Sequence, residues 1–230
     1  MSEANTETQT EETKPEVVKA DGCQLDSIYA FKKGMTSYFT DAGESVAATV
    51  LKYEPLVISQ VKTKEKDGYT AVQVSFMPKK SVRTAKSEKN HLKAAGFENG
   101  AYHAREIRQD LPETAQVGTK ISLDSLKVGD LVKVTSRSKG RGFAGVVRRW
   151  GMAGGPETHG SGFHRRPGSI GNRTWPGRVM PGKKFPGHYG DETVTVKNLR
   201  VLDIIADENV IVVSGAIPGA ENSLVQLTKV

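Results

Sequence analysis

The sequence lacks the features typical of secreted, membrane-spanning or disulfide-rich proteins. Its one cysteine, Cys23, has no partner for an internal disulfide or a cysteine-based zinc site. No apolar run approaches the ~18 residues of a spanning helix, and no apolar stretch follows a charged N-terminal region as in a secretory signal. We therefore expect a cytoplasmic protein with no membrane partner, in which Cys23 is a small, half-buried hydrophobe near the first strand.

Acidic residues are scarce in one long segment and concentrated in another. Residues 1–22 carry two Lys and six Asp/Glu, a net charge of −4. Residues 137–190 carry eleven Lys/Arg, and Glu157 is the only carboxylate among them, so their net charge is +10. The rest of the chain is almost neutral. One concentrated basic segment predicts a polyanion-binding surface, because clustered cations release the counterions condensed on phosphates.

Helical periodicity is also scarce, whereas short runs rich in β-branched and aromatic residues recur and predict strands. Residues 69–76 alternate as in a half-buried strand, with one face formed by Thr70, Val72, Val74 and Phe76. One helix is predicted over 87–95, with Ser87 as its N-cap and Gly96 as its C-terminal stop. Short strands without alternating helices favour a mainly β fold and a closed or nearly closed antiparallel barrel. The predicted strands are 28–31, 46–53, 56–62, 69–77, 120–123, 130–136, 193–196, 201–205, 210–214 and 224–230.

These patterns divide the chain into four parts. Residues 1–22 have few apolar groups and are predicted to form a disordered acidic tail. Residues 23–136 supply barrel strands, interrupted by a small, partly helical α/β insertion at about 79–110. Residues 137–190 form an extended basic, glycine-rich arm, and residues 191–230 provide the closing strands of the barrel.

The arm has a composition suited to RNA. It holds fourteen of the 24 glycines, five of the ten prolines and both tryptophans. Loops longer than ~12–15 residues without secondary structure are uncommon, so the arm is either a linker or a segment that folds on a partner. Linkers seldom mix aromatic side chains with so many cations. Cations meet phosphates, aromatic rings stack on unpaired bases and glycines permit close backbone approach, which together indicate an RNA-binding arm.

Two nucleotide-binding motifs match the arm only by letter. Residues 140–145 fit G-x-G-x-x-G, but we expect no helix after the glycines and find no carboxylate at the spacing that bonds a ribose. Residues 177–184 nearly fit a P-loop, but Lys184 stands where a hydroxyl must hold Mg²⁺, and Pro186 disfavours the required helix. Kinase and NTPase functions are therefore excluded.

Metal and acid–base chemistry lack the necessary side chains. His159, His164 and His188 are accompanied in the arm by no cysteine and only by Glu157. A zinc site or a pair of catalytic carboxylates cannot be assembled from that set. We expect these histidines to bond phosphates or 2′-hydroxyls, and we predict neither a cofactor nor a small-molecule substrate.

Seven strings of the sequence resemble the L-three family of large-subunit ribosomal proteins in its bacterial form, in the family's order. They are KKGMTSYF, DGYTAVQV, SRSKGRGFAGVVRRWG, THG, HRRPGSIG, PGRVMPGKKFPGHYGDETVTVKNL and VSGAIPGA. The resemblance implies a translation-factor-like antiparallel β-barrel with a small α/β insertion and a long RNA-penetrating arm. It also implies a structural role in early large-subunit assembly, with the arm directed toward the peptidyl transferase centre. The implied partners are large-subunit rRNA and neighbouring large-subunit ribosomal proteins.

The resemblance assigns candidate RNA contacts along the whole arm. They are Lys139, Arg141, Arg148, Arg149 and Trp150 at its base; His159, His164, Arg165 and Arg166 in its middle; Arg173, Trp175 and Arg178 near its tip; and Lys183, Lys184 and His188 on the return. In some bacterial relatives a tip glutamine is methylated, but residues 172–175 contain none, so that modification is predicted to be absent. The acidic tail is also longer than the resemblance implies.

Two other classes of function remain as alternatives. An RNA-modifying or phosphate-transferring enzyme needs a carboxylate or nucleophile in the arm, and Glu157 alone counts against it. A free translation or transcription factor could also carry a nucleic-acid-binding barrel. Such a factor exchanges on and off its target, whereas a long arm buried in RNA does not.

Overall fold

The computed structural model describes residues 23–40, 42–80, 82, 84–112 and 114–230. The predicted acidic tail, 1–22, lies outside the described residues. In chain order the strands are β1 (Ser27–Phe39), β2 (Ser45–Tyr53), β3 (Leu56–Lys62), β4 (Ala71–Pro78), β5 (Ala101–Ile107), β6 (Lys120–Ile121), β7 (Leu131–Arg137), β8 (Phe143–Ala144), β9 (Gly187–His188), β10 (Thr193–Ile205), β11 (Val210–Ser214) and β12 (Leu224–Lys229). The helices are α1 (Lys64–Asp67), α2 (Lys86–Leu92) and α3 (Val146–Trp150).

Six strands close into an antiparallel barrel in the order β1-β12-β7-β10-β11-β2, which confirms the predicted mainly β fold. Successive side chains of a strand point to opposite faces, so alternate residues fill the barrel. Val132 and Val134 of β7 are fully buried, and so are Val225 and Leu227 of β12. Aliphatic side chains therefore supply the barrel's interior. No helix in the described ranges is long and apolar enough to cross a membrane.

A second antiparallel sheet, in the order β5-β4-β3-β6, packs beside the barrel. The prediction that residues 56–62, 69–77 and 120–123 are barrel strands is therefore wrong, since these runs form β3, β4 and β6 of the second sheet. Alternation indicates that a face is buried but does not specify the sheet in which the strand pairs. β4 is also buried on both faces, because Ala71 and Ser75 are covered as fully as Val72 and Val74.

The helix α2 and a following 3-10 turn (Lys93–Ala95) cover the outer face of this sheet. His91 lies 3.3 Å from the Gln73 side chain of β4, and Leu92 is buried. Ala85, not Ser87, occupies the N-cap position, so the predicted cap is wrong and Ser87 lies inside the helix. Gly96 ends the 3-10 turn at a φ of 84°, in the left-handed conformation predicted for the stop.

Aromatic and polar contacts join the two sheets into one core. The Phe76 ring of β4 stacks on Tyr29 of the barrel, with 6.0 Å between ring centroids. The buried Tyr53 hydroxyl donates to the Ile121 carbonyl at 2.5 Å and accepts from the Leu56 N–H at 3.3 Å. Burial raises the pKa of Tyr53 to about 12, so its phenol stays protonated and can donate. Cys23 is fully buried and not half-buried as predicted. Its backbone forms an isolated parallel β-bridge with Ile121 at this junction.

The buried core contains no described residue between Val134 and Val201. Val146 is buried but lies outside this cluster. We therefore predict that replacing residues 145–186 by a short Gly/Ser linker leaves a folded body, because Ala144 and Gly187 are already paired neighbours. Its thermal midpoint, measured by calorimetry, should change by no more than roughly 4 °C, which corresponds to about 1 kcal/mol at this size. A full-length Phe76→Ala control should lose ~3–5 kcal/mol. Loss of cooperative unfolding in the linker variant would contradict the prediction.

Candidate nucleic-acid interface

The arm leaves the barrel at the end of β7 and returns at the start of β10, which are hydrogen-bonded neighbours. Its root is a two-stranded ribbon. The Arg141 N–H donates to the Tyr189 carbonyl and the Tyr189 N–H to the Gly142 carbonyl, both at 2.9 Å. Gly190 has a φ of 72°, and a Cβ there would overlap the Lys139 carbonyl. Glycine is required at this position for the two segments to meet.

Beyond the ribbon, α3 forms an elbow that ties the outgoing segment to the returning one. The Arg149 guanidinium and the Trp150 indole N–H both donate to the Phe185 carbonyl, at 2.9 and 2.8 Å. Val146 anchors the helix as a buried side chain, and Gly151 ends it at a φ of 68°. The prediction that no helix follows the glycines is therefore wrong. The other ground for excluding a dinucleotide site, the missing carboxylate, is unaffected.

The middle of the arm is irregular and is shaped by close backbone contacts. The Gly155 N–H donates to the His164 carbonyl at 2.5 Å, and a Cβ on Gly155 would lie 2.6 Å from the Phe163 ring. His159 and His164 adopt left-handed backbone conformations, with φ of 58° and 42°. Such conformations cost a non-glycine residue on the order of 1–3 kcal/mol, which the surrounding turns must offset.

The tip presents side chains outward. Trp175 is 87% exposed, so its ring makes little contact with the neighbouring Pro176 or Arg178. An open groove of about 360 Å³ lies beside it, lined by residues 169–173 and 177–179. The Ser169 hydroxyl donates to the Gly171 carbonyl at 3.1 Å and shapes the turn that precedes the tip.

The cations of the arm are largely uncompensated within the described part of the chain. Of the eleven Lys/Arg in residues 137–190, Arg137 alone forms an ion pair, with Asp191. Arg149 is half-buried and the other ten are exposed. Ala144 and Val146 are the only buried residues of the arm. The arm therefore presents positive charge that its own carboxylates do not neutralise.

All predicted contact residues are accessible, but the structure groups only some of them. Arg149 and Lys184 lie over the Trp150 ring, at 5.0 and 5.7 Å from its centroid, and Arg141 lies 5.1 Å from that of Tyr189. Lys183 does not join this group, because it lines a small cavity with Arg178 and with residues 170–172 of the tip. By their place in the chain, Lys139, Arg148 and His188 lie toward the base; His159, His164, Arg165 and Arg166 lie in the middle, and Arg173, Trp175 and Arg178 at the tip. The described residues contain no group of three or more His, Cys, Asp or Glu that could hold a metal ion.

One cation near the arm was missed by the sequence analysis. Lys32 of β1 lines a cavity at the root of the arm together with Lys139 and Arg141. It lies more than a hundred positions earlier in the chain, inside an ordinary strand sequence. The only sequence signal for Lys32 is its place in the KKGMTSYF string, and that string does not indicate which residues lie near the lysine in the fold.

The chain matches known proteins over most of its length. Residues 30–209 match the family model described as ribosomal protein L3. The large ribosomal subunit protein uL3 of Bdellovibrio bacteriovorus is 61% identical over 208 residues, covering 90% of this chain and 94% of that protein. The uL3 proteins of Desulfotalea psychrophila and Geobacter sulfurreducens are 49% and 45% identical, covering 84% and 86% of this chain and 93% and 94% of theirs.

The elbow generates a prediction about local stability. Arg149→Gln removes one donor to the Phe185 carbonyl and one cation over Trp150. The loss of these contacts should destabilise the elbow by about 1 kcal/mol. Limited proteolysis of the RNA-free protein within residues 137–190 should then accelerate roughly fivefold, while the melting of the barrel is unchanged. Arg148→Gln is the matched control, because Arg148 is exposed on the same helix. Equal cleavage of both variants would show that the elbow does not hold the arm.

Proposed function

The chain belongs to the ribosomal protein L3 family, and from this premise we propose that its arm is buried in large-subunit ribosomal RNA of the 23S type. The protein is a structural component of the large ribosomal subunit and not an enzyme. In the proposed arrangement the arm runs toward the peptidyl transferase centre. Binding occurs early and supports assembly of the subunit in the cytoplasm, beside neighbouring large-subunit proteins.

The uncompensated charge of the arm carries this proposal. Ten of its eleven cations form no ion pair with the described residues, and only two of its residues are buried. A segment with so little buried surface gains little free energy from packing on its own barrel. A polyanion supplies the missing interactions, because each phosphate neutralised by a cation releases condensed counterions.

Exposed aromatic rings favour folded RNA over a uniform duplex. Trp175 and Phe143 are 87% and 79% exposed, and neither packs on the barrel core. Unpaired bases offer flat faces to such rings, whereas the bases of a continuous helix are already stacked. The glycines of the arm let its backbone approach the RNA closely.

Sedimentation distinguishes a structural protein from a free nucleic-acid-binding factor. We expect the protein to remain with large subunits after a high-salt wash, because exchange requires the whole arm to be withdrawn. Release into the supernatant at moderate salt, together with rebinding to washed subunits, would support the exchanging factor instead.

The charge of the arm predicts a steep salt dependence. If roughly six to ten cations meet phosphates, affinity for an rRNA fragment should fall by ~10³–10⁵ between 50 and 200 mM salt. The salt exponent is the slope of the logarithm of affinity against the logarithm of salt concentration. Replacing Arg165 and Arg166 by Gln should lower its magnitude by roughly one per lost contact. The control variant carries Lys64→Gln and Lys66→Gln, which remove two exposed cations from α1, the helix between β3 and β4. Its salt exponent should change little. An equal effect of the two pairs, measured by filter binding, would contradict a specific role for the arm.

The exposed tip predicts a stacking contact. Trp175→Ala should leave the melting of the free protein unchanged, because the ring lies outside the core. Subunits with this variant should assemble, but nucleotides near the catalytic centre should change in chemical reactivity, since base–aromatic stacking is worth ~1–3 kcal/mol. Trp175→Phe retains a ring, so in that variant the reactivity of these nucleotides should stay close to that with the unchanged protein. Unchanged reactivity of every nucleotide around the centre in the alanine variant would exclude the contact.

A further inference from the structure

A concave cavity of about 390 Å³ opens where the arm leaves the barrel. Its walls come from four parts of the chain: β1, the two root segments of the arm, the start of β10 with the residue before it, and the loop over residues 215–223 that precedes β12. The polar lining includes Lys32, Lys139, Arg141, Tyr189 and Glu192. Barrel and arm therefore contribute charged side chains to one site.

Lys32 is the barrel's contribution, and its ammonium is fixed in position. The Lys32 Nζ donates to the carbonyl oxygens of Ile217 at 2.6 Å and Gly219 at 3.2 Å. A lysine ammonium has three N–H donors, so one remains for a ligand. Burial, and then the positive charge of Lys139, lowers the pKa of Lys32, while Glu221 opposes that shift. Lys139 lines the same cavity, so two like charges face one space and repel each other.

The arm's contribution is exposed toward the same cavity. Lys139 and Arg141 form no ion pair with any described residue. The Arg141 guanidinium is positioned over the Tyr189 ring, 5.1 Å from its centroid, which limits its orientations. Glu192 also lines the cavity, but no cation nitrogen of the described residues lies within 4.0 Å of its carboxylate. Three cations therefore converge without a bonded counterion.

We propose that this cavity binds one backbone phosphate of ribosomal RNA, held jointly by Lys32 from the barrel and by Lys139 and Arg141 from the arm. The inference rests on the proposed function and adds a barrel residue to the RNA interface. A phosphate placed here neutralises the repulsion between the two ammonium groups and offers oxygens to the guanidinium fork. Because its ligands come from both sides of the junction, the phosphate also fixes the direction of the arm relative to the barrel.

The test uses the full-length protein and an rRNA fragment that the unchanged protein binds. Lys32→Gln should reduce the magnitude of the salt exponent by roughly 0.7–0.9, the value of one phosphate contact. The affinity lost between 50 and 200 mM salt should then be about threefold smaller than for the unchanged protein. Lys33→Gln is the matched control, since the adjacent lysine donates to Asn222 at 2.8 Å and lines a different cavity. Its exponent should be unchanged.

Further variants separate a phosphate ligand from a lysine that only supports the 215–223 loop. Lys32→Arg should retain the exponent, and Lys139→Gln and Arg141→Gln should each lower it, although neither residue supports the loop. A Lys32→Gln/Lys139→Gln double variant should lose less than the sum of the single losses, because both ligate one phosphate. Lys139 and Arg141 are exposed, so their substitution by Gln should leave the fold intact. The salt exponent can therefore be measured on these two variants even if Lys32→Gln lowers the melting temperature.

The outcomes distinguish this site from the arm as a whole. If Lys32→Gln, Lys139→Gln and Arg141→Gln match the Lys33→Gln control while Arg165→Gln with Arg166→Gln still weakens binding, the cavity is not a phosphate site and the proposed function stands. If none of these substitutions changes the exponent, the arm does not bind phosphates and the proposed function fails with it. A lower melting temperature with an unchanged exponent would assign Lys32 to loop support alone.

Discussion

The antiparallel pairing of β7 with β10 is the constraint on which the arm depends. Thr193 is paired with Arg137, so the chain leaves the barrel and returns to it on adjacent strands. The two ends of the excursion are therefore held side by side by backbone hydrogen bonds. The ion pair of Arg137 with Asp191 and the glycine at position 190 extend the same pairing outward into the ribbon. The elbow at α3 is built on that ribbon.

Barrel and arm are stabilised by different interactions. In the barrel, aliphatic side chains are removed from water on alternate positions of six strands, and the aromatic contacts of Phe76 extend that core into the second sheet. The arm has almost no such surface, so its own contacts are a few hydrogen bonds and cation–π pairs, each worth about 1 kcal/mol or less. Its cations repel one another until an anion lies between them. Those repelling charges are what allow a polyanion to bind strongly.

Strand identity could largely be predicted from sequence, but pairing could not. The strand 56–62 was predicted with its observed bounds, whereas β1 continues to Phe39, well past the predicted end at residue 31. Its second half has no clear alternation, and it is extended there because β2 pairs with it. The helix α3 was missed for a similar reason. Five residues between glycines are too few to form a helix by propensity, and the bonds of Arg149 and Trp150 to Phe185 hold it.

Local patterns along the sequence determined that this chain has a β-rich body, and composition determined that it has a basic, glycine-rich arm suited to RNA. Net charge, glycine content and aromatic content are sums over a segment, so they require no knowledge of contacts. The tertiary structure decided which strands form the barrel, which form the second sheet, and where Lys32 lies. Closing the barrel depends on pairing between strands far apart in the chain, and the pattern of a single strand does not specify its partner. Barrel closure and the ribbon at the root of the arm together bring Lys32 to the same cavity as Lys139 and Arg141.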